Sequence, residues 1–261
     1  MNWKPQDYAR NSAAQLQWAQ TLIERLNLTG SEQLLDVGCG DGKITAHLAQ
    51  QLPQGLVVGV DVAAEMIAYA QAIYPPTTQP NLKFACQDAR SLSFETQFDL
   101  IFSNAVLHWV DDHWAFLQGA HRALKPGGKL ILSCGGQGNA ADIVATFTAL
   151  VQEPTWQADF PLSLALPYTF HSPADYQPWL QALNFQIQRL ELVPKDMTHP
   201  GADGLAGWIR TTWFPWVNLV PEARQAEFVA QFCDRYLAKF PVDEQGLTHV
   251  RMVRLEVEAQ K

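Results

Sequence analysis

The segment Leu34-Leu35-Asp36-Val37-Gly38-Cys39-Gly40-Asp41-Gly42 joins an apolar run to the start of a helical pattern. Glycines at such a junction permit unusual backbone angles and let a ligand approach the main chain closely. The helix start that follows offers N–H groups with no partner inside the helix. The spacing differs from the dinucleotide fingerprint Gly-x-Gly-x-x-Gly, because the third position of that fingerprint falls on Lys43. Asp36, just before the turn, disfavours a pyrophosphate and suits a cationic ligand group. Asp61 ends the next apolar run, where a carboxylate can accept both hydroxyls of a ribose. Gln87-Asp88-Ala89 follows the third run, and Asp88 there can accept from an adenine amino group.

Each of these residues also has a structural reading. Gly38 and Gly40 can simply allow a tight turn. Asp61 and Asp88 can each cap a helix. Met66, at helical spacing, can be core filling.

His108 and Trp109 follow the fourth apolar run, Phe98–Phe102. His108 can donate to a substrate oxygen or act as a base, and a structural histidine bonded to backbone is an equal alternative. His108 and His113 are five residues apart, on different faces of a helix, with no evident third ligand, so no metal site is expected. Cys39 is expected to be a wall of the ligand pocket, since a thiolate nucleophile needs an activating neighbour.

These residues need elements to hold them. The spacing predicts a helix over 13–27 and strands at Gln33–Val37, Leu56–Val60, Leu82–Cys86, Phe98–Phe102 and Lys129–Ser133. Helices are predicted at about 43–52, 63–73 and 114–124, with Lys125-Pro126-Gly127-Gly128 as a turn. Short apolar strands alternating with helices mean a mainly parallel sheet covered on both faces. Ligands on such sheets sit beyond the carboxyl ends of the strands. Residues 135–171 carry few signals. Beyond them come a helix at 173–183, a strand at 185–193, a helical stretch at 203–240 broken near Pro215 and restarting after Pro221, and a strand at 250–257.

Composition narrows the class of partner. The chain has 261 residues, a formal net charge of −8 and no run of five basic residues, so a nucleic-acid partner is disfavoured. No apolar stretch is long enough for a membrane-spanning helix, and the N-terminus lacks a secretory signal. The cysteines, Cys39, Cys86, Cys134 and Cys233, form no Cys-x-x-Cys pair and fit a reducing cytoplasm. The expected partner is a small-molecule substrate.

Taken in order, the motifs resemble the class I S-adenosylmethionine-dependent methyltransferases across about residues 30–135. They are Asp36–Gly42, Asp61 with Met66, Asp88-Ala89, Phe98–Val110 with Asn104, and Leu124–Leu132. The resemblance implies a doubly wound, mainly parallel, seven-stranded sheet with a helical insertion before the last strand. It implies S-adenosylmethionine as cofactor, held by Asp36, Gly38, Cys39, Gly40, Asp61, Val62, Met66, Gln87, Asp88, Ala89 and Asn104. The opening Trp3–Tyr8 and the segment Leu107–His113 look like trans-aconitate and juvenile hormone acid methyltransferases, which implies methyl ester formation on a small carboxylic acid.

The substrate contacts expected on this basis are Tyr8, Gln15, His108, Trp109 and Arg210. Arg210 lies in Gly207–Trp216, a segment rich in tryptophan. Its alternative is solvent exposure, with the tryptophans as core. The whole chain, 1–261, is read as a single methyltransferase domain with a helical cap at 1–30, a cofactor-binding core at 31–135 and an insertion at 194–246 over the active site. A phenol, an amine or an isoprenoid lipid is the alternative acceptor, and a non-catalytic cofactor-binding protein is a further alternative.

Overall fold

The structure, a computed structural model, describes residues 13–161 and 163–261, with side chains of the first helix described from Ala19 onward. It divides into two compact units. One comprises the described residues up to Gln137 with Tyr168–Val193 and Arg254–Lys261; the other comprises Gly138–Pro167 and Pro194–Val253.

In the first unit the chain alternates as expected. Helix α1 (Ala13–Glu24) precedes β1 (Gln33–Val37), α2 (Lys43–Gln51), β2 (Leu56–Asp61), α3 (Ala64–Ile73), β3 (Leu82–Cys86), β4 (Phe98–Asn104), α4 (His113–Ala123) and β5 (Leu124–Gly135). The strands join a seven-stranded sheet of order β3-β2-β1-β4-β5-β7-β6, where β6 is Gln186–Pro200 and β7 is Leu247–Gln260. The pairs β1–β2, β1–β4, β2–β3 and β4–β5 are parallel, and β7 runs antiparallel to β5. The order reverses between β1 and β4, and the crevice at such a switch point is where a ligand is held.

Alternating side chains explain why both faces are covered. Leu35, Val37, Leu130 and Leu132 belong to one buried cluster, which α4 and α6 (Pro173–Ala182) complete through Phe116, Leu117, Tyr176 and Leu180. Leu34, Val57 and Ile131 belong to another, completed by Leu22, Ile23, Leu48 and Leu52. Residues 125–128 interrupt the β4–β5 ladder: Phe98 faces Leu124, and pairing resumes at Leu100 with Lys129. The expected turn is thus a bulge at the start of one long strand.

The second unit contains α5 (Ala141–Val151), α7 (Gly201–Thr212), the short α8 (Phe214–Val217) and α9 (Glu222–Lys239). Helix α5 lies where the sequence carried few signals. Its β-branched residues weaken helix propensity, yet Ile143, Thr146, Phe147, Leu150 and Val151 are buried at helical spacing. Strand β6 also continues to Pro200, seven residues past the expected Val193. Phe147 stands at the centre of an aromatic core, with ring centroids 4.3 Å from Phe232, 5.0 Å from Trp216 and 5.5 Å from Trp213. Arg224 lies over the Trp156 ring at 4.4 Å and pairs with Asp159 at 3.0 Å.

Candidate active site

The glycine turn leaves β1 and is clasped to β2. The Gly38 and Cys39 N–H groups both donate to the Val60 carbonyl, at 2.7 and 3.0 Å. Gly38 has φ +79°, and a Cβ there would lie 2.2 Å from a Val106 methyl. Both the backbone angle and the close approach of Val106 therefore require glycine. Gly42 has φ +78° and closes the turn against Phe84 and Ala70.

Asp61 ties the turn to the next connection. One carboxylate oxygen accepts from Gly40 N–H at 3.0 Å, and the other from Ala63 N–H at 2.9 Å. Burial raises its pKa against the pull of those two bonds. Beside it Val62 is 65% exposed, a large apolar side chain facing water, while Met66 is buried. A carboxylate, a glycine turn and an open apolar side chain together can accept from a diol and cover a flat ring. This is a surface that fits a nucleoside.

Asp36 is buried and accepts a hydrogen bond from Thr45 Oγ1 at 2.7 Å. Burial, with a smaller push from Asp61, raises it to about 7. Such a carboxylate gains from a cationic ligand group, which would restore its ionised form. Cys39 is buried, and burial pushes its thiol well above the usual range, so it offers no nucleophile. Asp88 caps a short 3-10 turn, Ala89–Ser91, through Arg90 N–H at 2.9 Å. It also pairs with the Arg90 guanidinium at 2.6 Å, which lowers its pKa. The Gln87 side-chain oxygen accepts from Ser93 N–H and Oγ at 3.2 and 3.3 Å.

At the end of β4, Asn104 Oδ1 accepts from Arg254 Nη2 at 3.4 Å. Arg254 is buried and also donates to the Ser133 carbonyl and hydroxyl, at 2.5 and 3.2 Å. Sequence reading missed Arg254. Its signal was parity, since it shares the alternating inward positions of β7 with Val250 and Met252, both buried.

His108 lies on a 3-10 turn, Leu107–Trp109, directly after β4. Its ring is buried among Trp109, Tyr168 and Phe170. His108 Nδ1 accepts from Gly135 N–H at 3.3 Å, which places the proton of the neutral ring on Nε2. Burial, then the Arg254 charge, holds its pKa well below the usual value. The ring is therefore a neutral donor whose Nδ1 lone pair is already engaged, and it is poorly suited to act as a base.

Tyr8 lies outside the described residues, and so does the side chain of Gln15, whose backbone is in α1. Arg210 is on α7 in the second unit and is exposed, whereas Trp208, Trp213 and Trp216 are core. Among the described residues no group of three metal-ligating side chains exists, and no helix is long and apolar enough to cross a membrane.

The parallel sheet, the glycine turn at its switch point and the acid at the end of β2 define a nucleoside-binding α/β enzyme, and comparison with known proteins narrows the class. Residues 35–132 match the family model described as a methyltransferase domain. A trans-aconitate 2-methyltransferase of Deinococcus radiodurans is 32% identical over 246 residues, 92% of each chain. Another from Variovorax paradoxus is 29% identical, covering 100% of this chain and 99% of its own. Among solved structures, the phosphoethanolamine N-methyltransferase 2 of Haemonchus contortus with S-adenosyl-L-methionine superposes with a TM-score of 0.62 at 18% identity. It covers 98% of this chain and 56% of its own, a likeness of fold. The chain belongs to the class I S-adenosylmethionine-dependent methyltransferases, and S-adenosylmethionine is its cofactor.

Proposed function

We propose that this enzyme transfers a methyl group to the carboxylate of a small organic acid. One observation carries the reading. The edge of β4 presents His108 as a neutral donor with its Nδ1 lone pair occupied, so the site offers a hydrogen bond where a protonated nucleophile would need a base. A carboxylate, with a pKa of about 4, is already ionised and needs no base. The trans-aconitate 2-methyltransferases, similar over nearly the whole chain, support the same acceptor class.

When bound, S-adenosylmethionine supplies a methyl group activated by a sulfonium. Asp61 would accept the ribose hydroxyls through the lone pairs that its backbone bonds leave over. Val62 and Met66 would cover the adenine, and Asp88 and Ala89 would meet its edge, with Gln87 fixing their loop through Ser93. Gly38, Cys39 and Gly40 would let the methionine portion lie close to the backbone, and Asp36 would pair with its ammonium. Asn104, held by Arg254, would border the cofactor at the end of β4. The chain's part in the reaction is to align the acid and exclude water. His108 and Trp109 orient the acid. The four cysteines, all free thiols, suit a cytoplasmic enzyme.

The test is methyl transfer from labelled cofactor to pooled small acids, phenols and amines, with products sorted by alkaline lability. Label released by base marks a methyl ester and supports the reading. Label only in base-stable products overturns it in favour of a phenol, amine or lipid acceptor, and cofactor binding without transfer points to a non-catalytic role.

A further inference from the structure

His108 and Trp109 share one turn, and that turn is short. Its own backbone bonds are Trp109 N–H to the Val106 carbonyl and Val110 N–H to the Leu107 carbonyl, each at 2.8 Å. Ala105 just before it holds φ +61°, a left-handed angle uncommon for a residue with a Cβ. A turn entered through such an angle needs outside bonds to keep one geometry. Thr169 N–H supplies one, donating to the His108 carbonyl at 2.9 Å.

His113 supplies another. It is the first residue of α4, whose N-cap is Asp112, and its ring reaches back over the turn. His113 Nε2 lies 2.7 Å from the Leu107 carbonyl, and Nδ1 lies 2.5 Å from the Tyr176 hydroxyl. His113 and Tyr176 are 1% and 0% exposed, so neither bond is shared with bulk water. A carbonyl only accepts, so Nε2 carries the proton. Nδ1 must then accept from the tyrosine O–H. The Leu107 carbonyl thereby selects the tautomer, and Tyr176 on α6 satisfies the Nδ1 lone pair that this tautomer leaves and so orients the ring. Burial and the nearby His171 keep the ring neutral, lowering its pKa to about 4.

We propose that His113, oriented by Tyr176, is a positioning residue: it anchors the Leu107 carbonyl and so sets the turn that presents His108 and Trp109 to the acceptor acid. The inference rests on the acid-binding reading of that turn. Neither His113 nor Tyr176 needs to touch substrate or cofactor. Their effect is geometric, and misplacement of an aligning group by about 1 Å can cost about 100-fold in rate.

The experiment compares His113→Ala, His113→Gln and Tyr176→Phe with the wild-type enzyme. Cofactor affinity is measured by titration, kcat and KM for a productive acid at saturating cofactor, and histidine tautomers by 15N resonance. Glutamine can place an amide N–H near the position of Nε2, and phenylalanine keeps the tyrosine ring while removing only the hydroxyl. The expected result is cofactor affinity within about twofold in all three, with kcat/KM for the acid down about 10- to 100-fold in His113→Ala. Partial recovery is expected in His113→Gln, and a smaller loss in Tyr176→Phe. The 15N spectrum should show one Nε2–H tautomer for His113 in the wild type, as the acceptor-only Leu107 carbonyl requires.

Parallel loss of cofactor affinity and acid turnover would mark a merely structural role and overturn the proposal. So would acid kinetics unchanged in the variants, or an Nδ1–H tautomer in the wild type. If the wild-type enzyme esterifies no acid while the Nε2–H tautomer is present, the acid reading itself falls and takes this role with it.

Discussion

The strand ends of the first unit and the aromatic core of the second are held by different interactions. In the first, the side chains at the strand ends are tied down: Asp61 to two backbone N–H groups, Asp36 to Thr45, His108 to Gly135 and His113 to Leu107 and Tyr176. In the second, cohesion comes from rings packed around Phe147, and the buried Trp208 Nε1 and His199 Nε2 have no hydrogen-bond partner among the described residues. Satisfied polar networks specify a single geometry, whereas aromatic packing supplies mainly buried area. The methyltransferase family model matches residues 35–132, all within the first unit, and the second is expected to respond to substitution mainly through stability.

The largest effect should break the second unit. Phe147→Ala removes the ring that four aromatic neighbours share and is expected to cost about 3–5 kcal/mol of stability, read by thermal or denaturant unfolding. Cofactor affinity of the protein that stays folded should change little; a large loss there would erase the contrast between the units. Next comes Asp61→Ala in the first unit. Loss of charge-assisted bonds at about 1.5–3 kcal/mol each predicts roughly 100-fold weaker cofactor binding by calorimetric titration. Its unfolding midpoint should move less than that of Phe147→Ala.

A smaller, pH-dependent effect sharpens the picture of Asp36. Its pKa is raised from 3.8 to about 7 by burial. The folded state then holds a proton that the unfolded state has lost, so this stabilisation is complete below the unfolded value and fades as pH rises from about 4 to about 7. A cationic ligand group favours the carboxylate, so cofactor affinity should rise roughly tenfold from about pH 6 to 8 and bind with release of protons. Asp36→Asn should flatten both curves. A cofactor affinity independent of pH in the wild type would remove Asp36 from the ammonium site.

Much of this contrast was legible in the sequence, and its limits are physical. The glycine turn, Asp61 and Asp88 lie at the ends of short apolar runs, so local pattern alone put them at one edge of a parallel sheet. The groups that hold the β4 edge come from far along the chain: Arg254 meets Asn104 across 150 residues, and Tyr176 meets His113 across 63. No local periodicity encodes such a meeting, although the parity of β7 marked Arg254 as inward. Helix α5 was hidden because Ile143, Val144, Thr146 and Thr148 favour strands, while burial followed the helical spacing. The choice between base and donor for His108 rested on Gly135 N–H, a backbone group that no side-chain pattern reports.

The central claim is that the acceptor is an anion needing no base. The most direct measurement is the pH dependence of kcat/KM for a productive acceptor at saturating cofactor. A carboxylate predicts a flat profile between about pH 6.5 and 9. A rise of about tenfold per pH unit across that range would mark a nucleophile that must first lose a proton and would contradict carboxyl methylation.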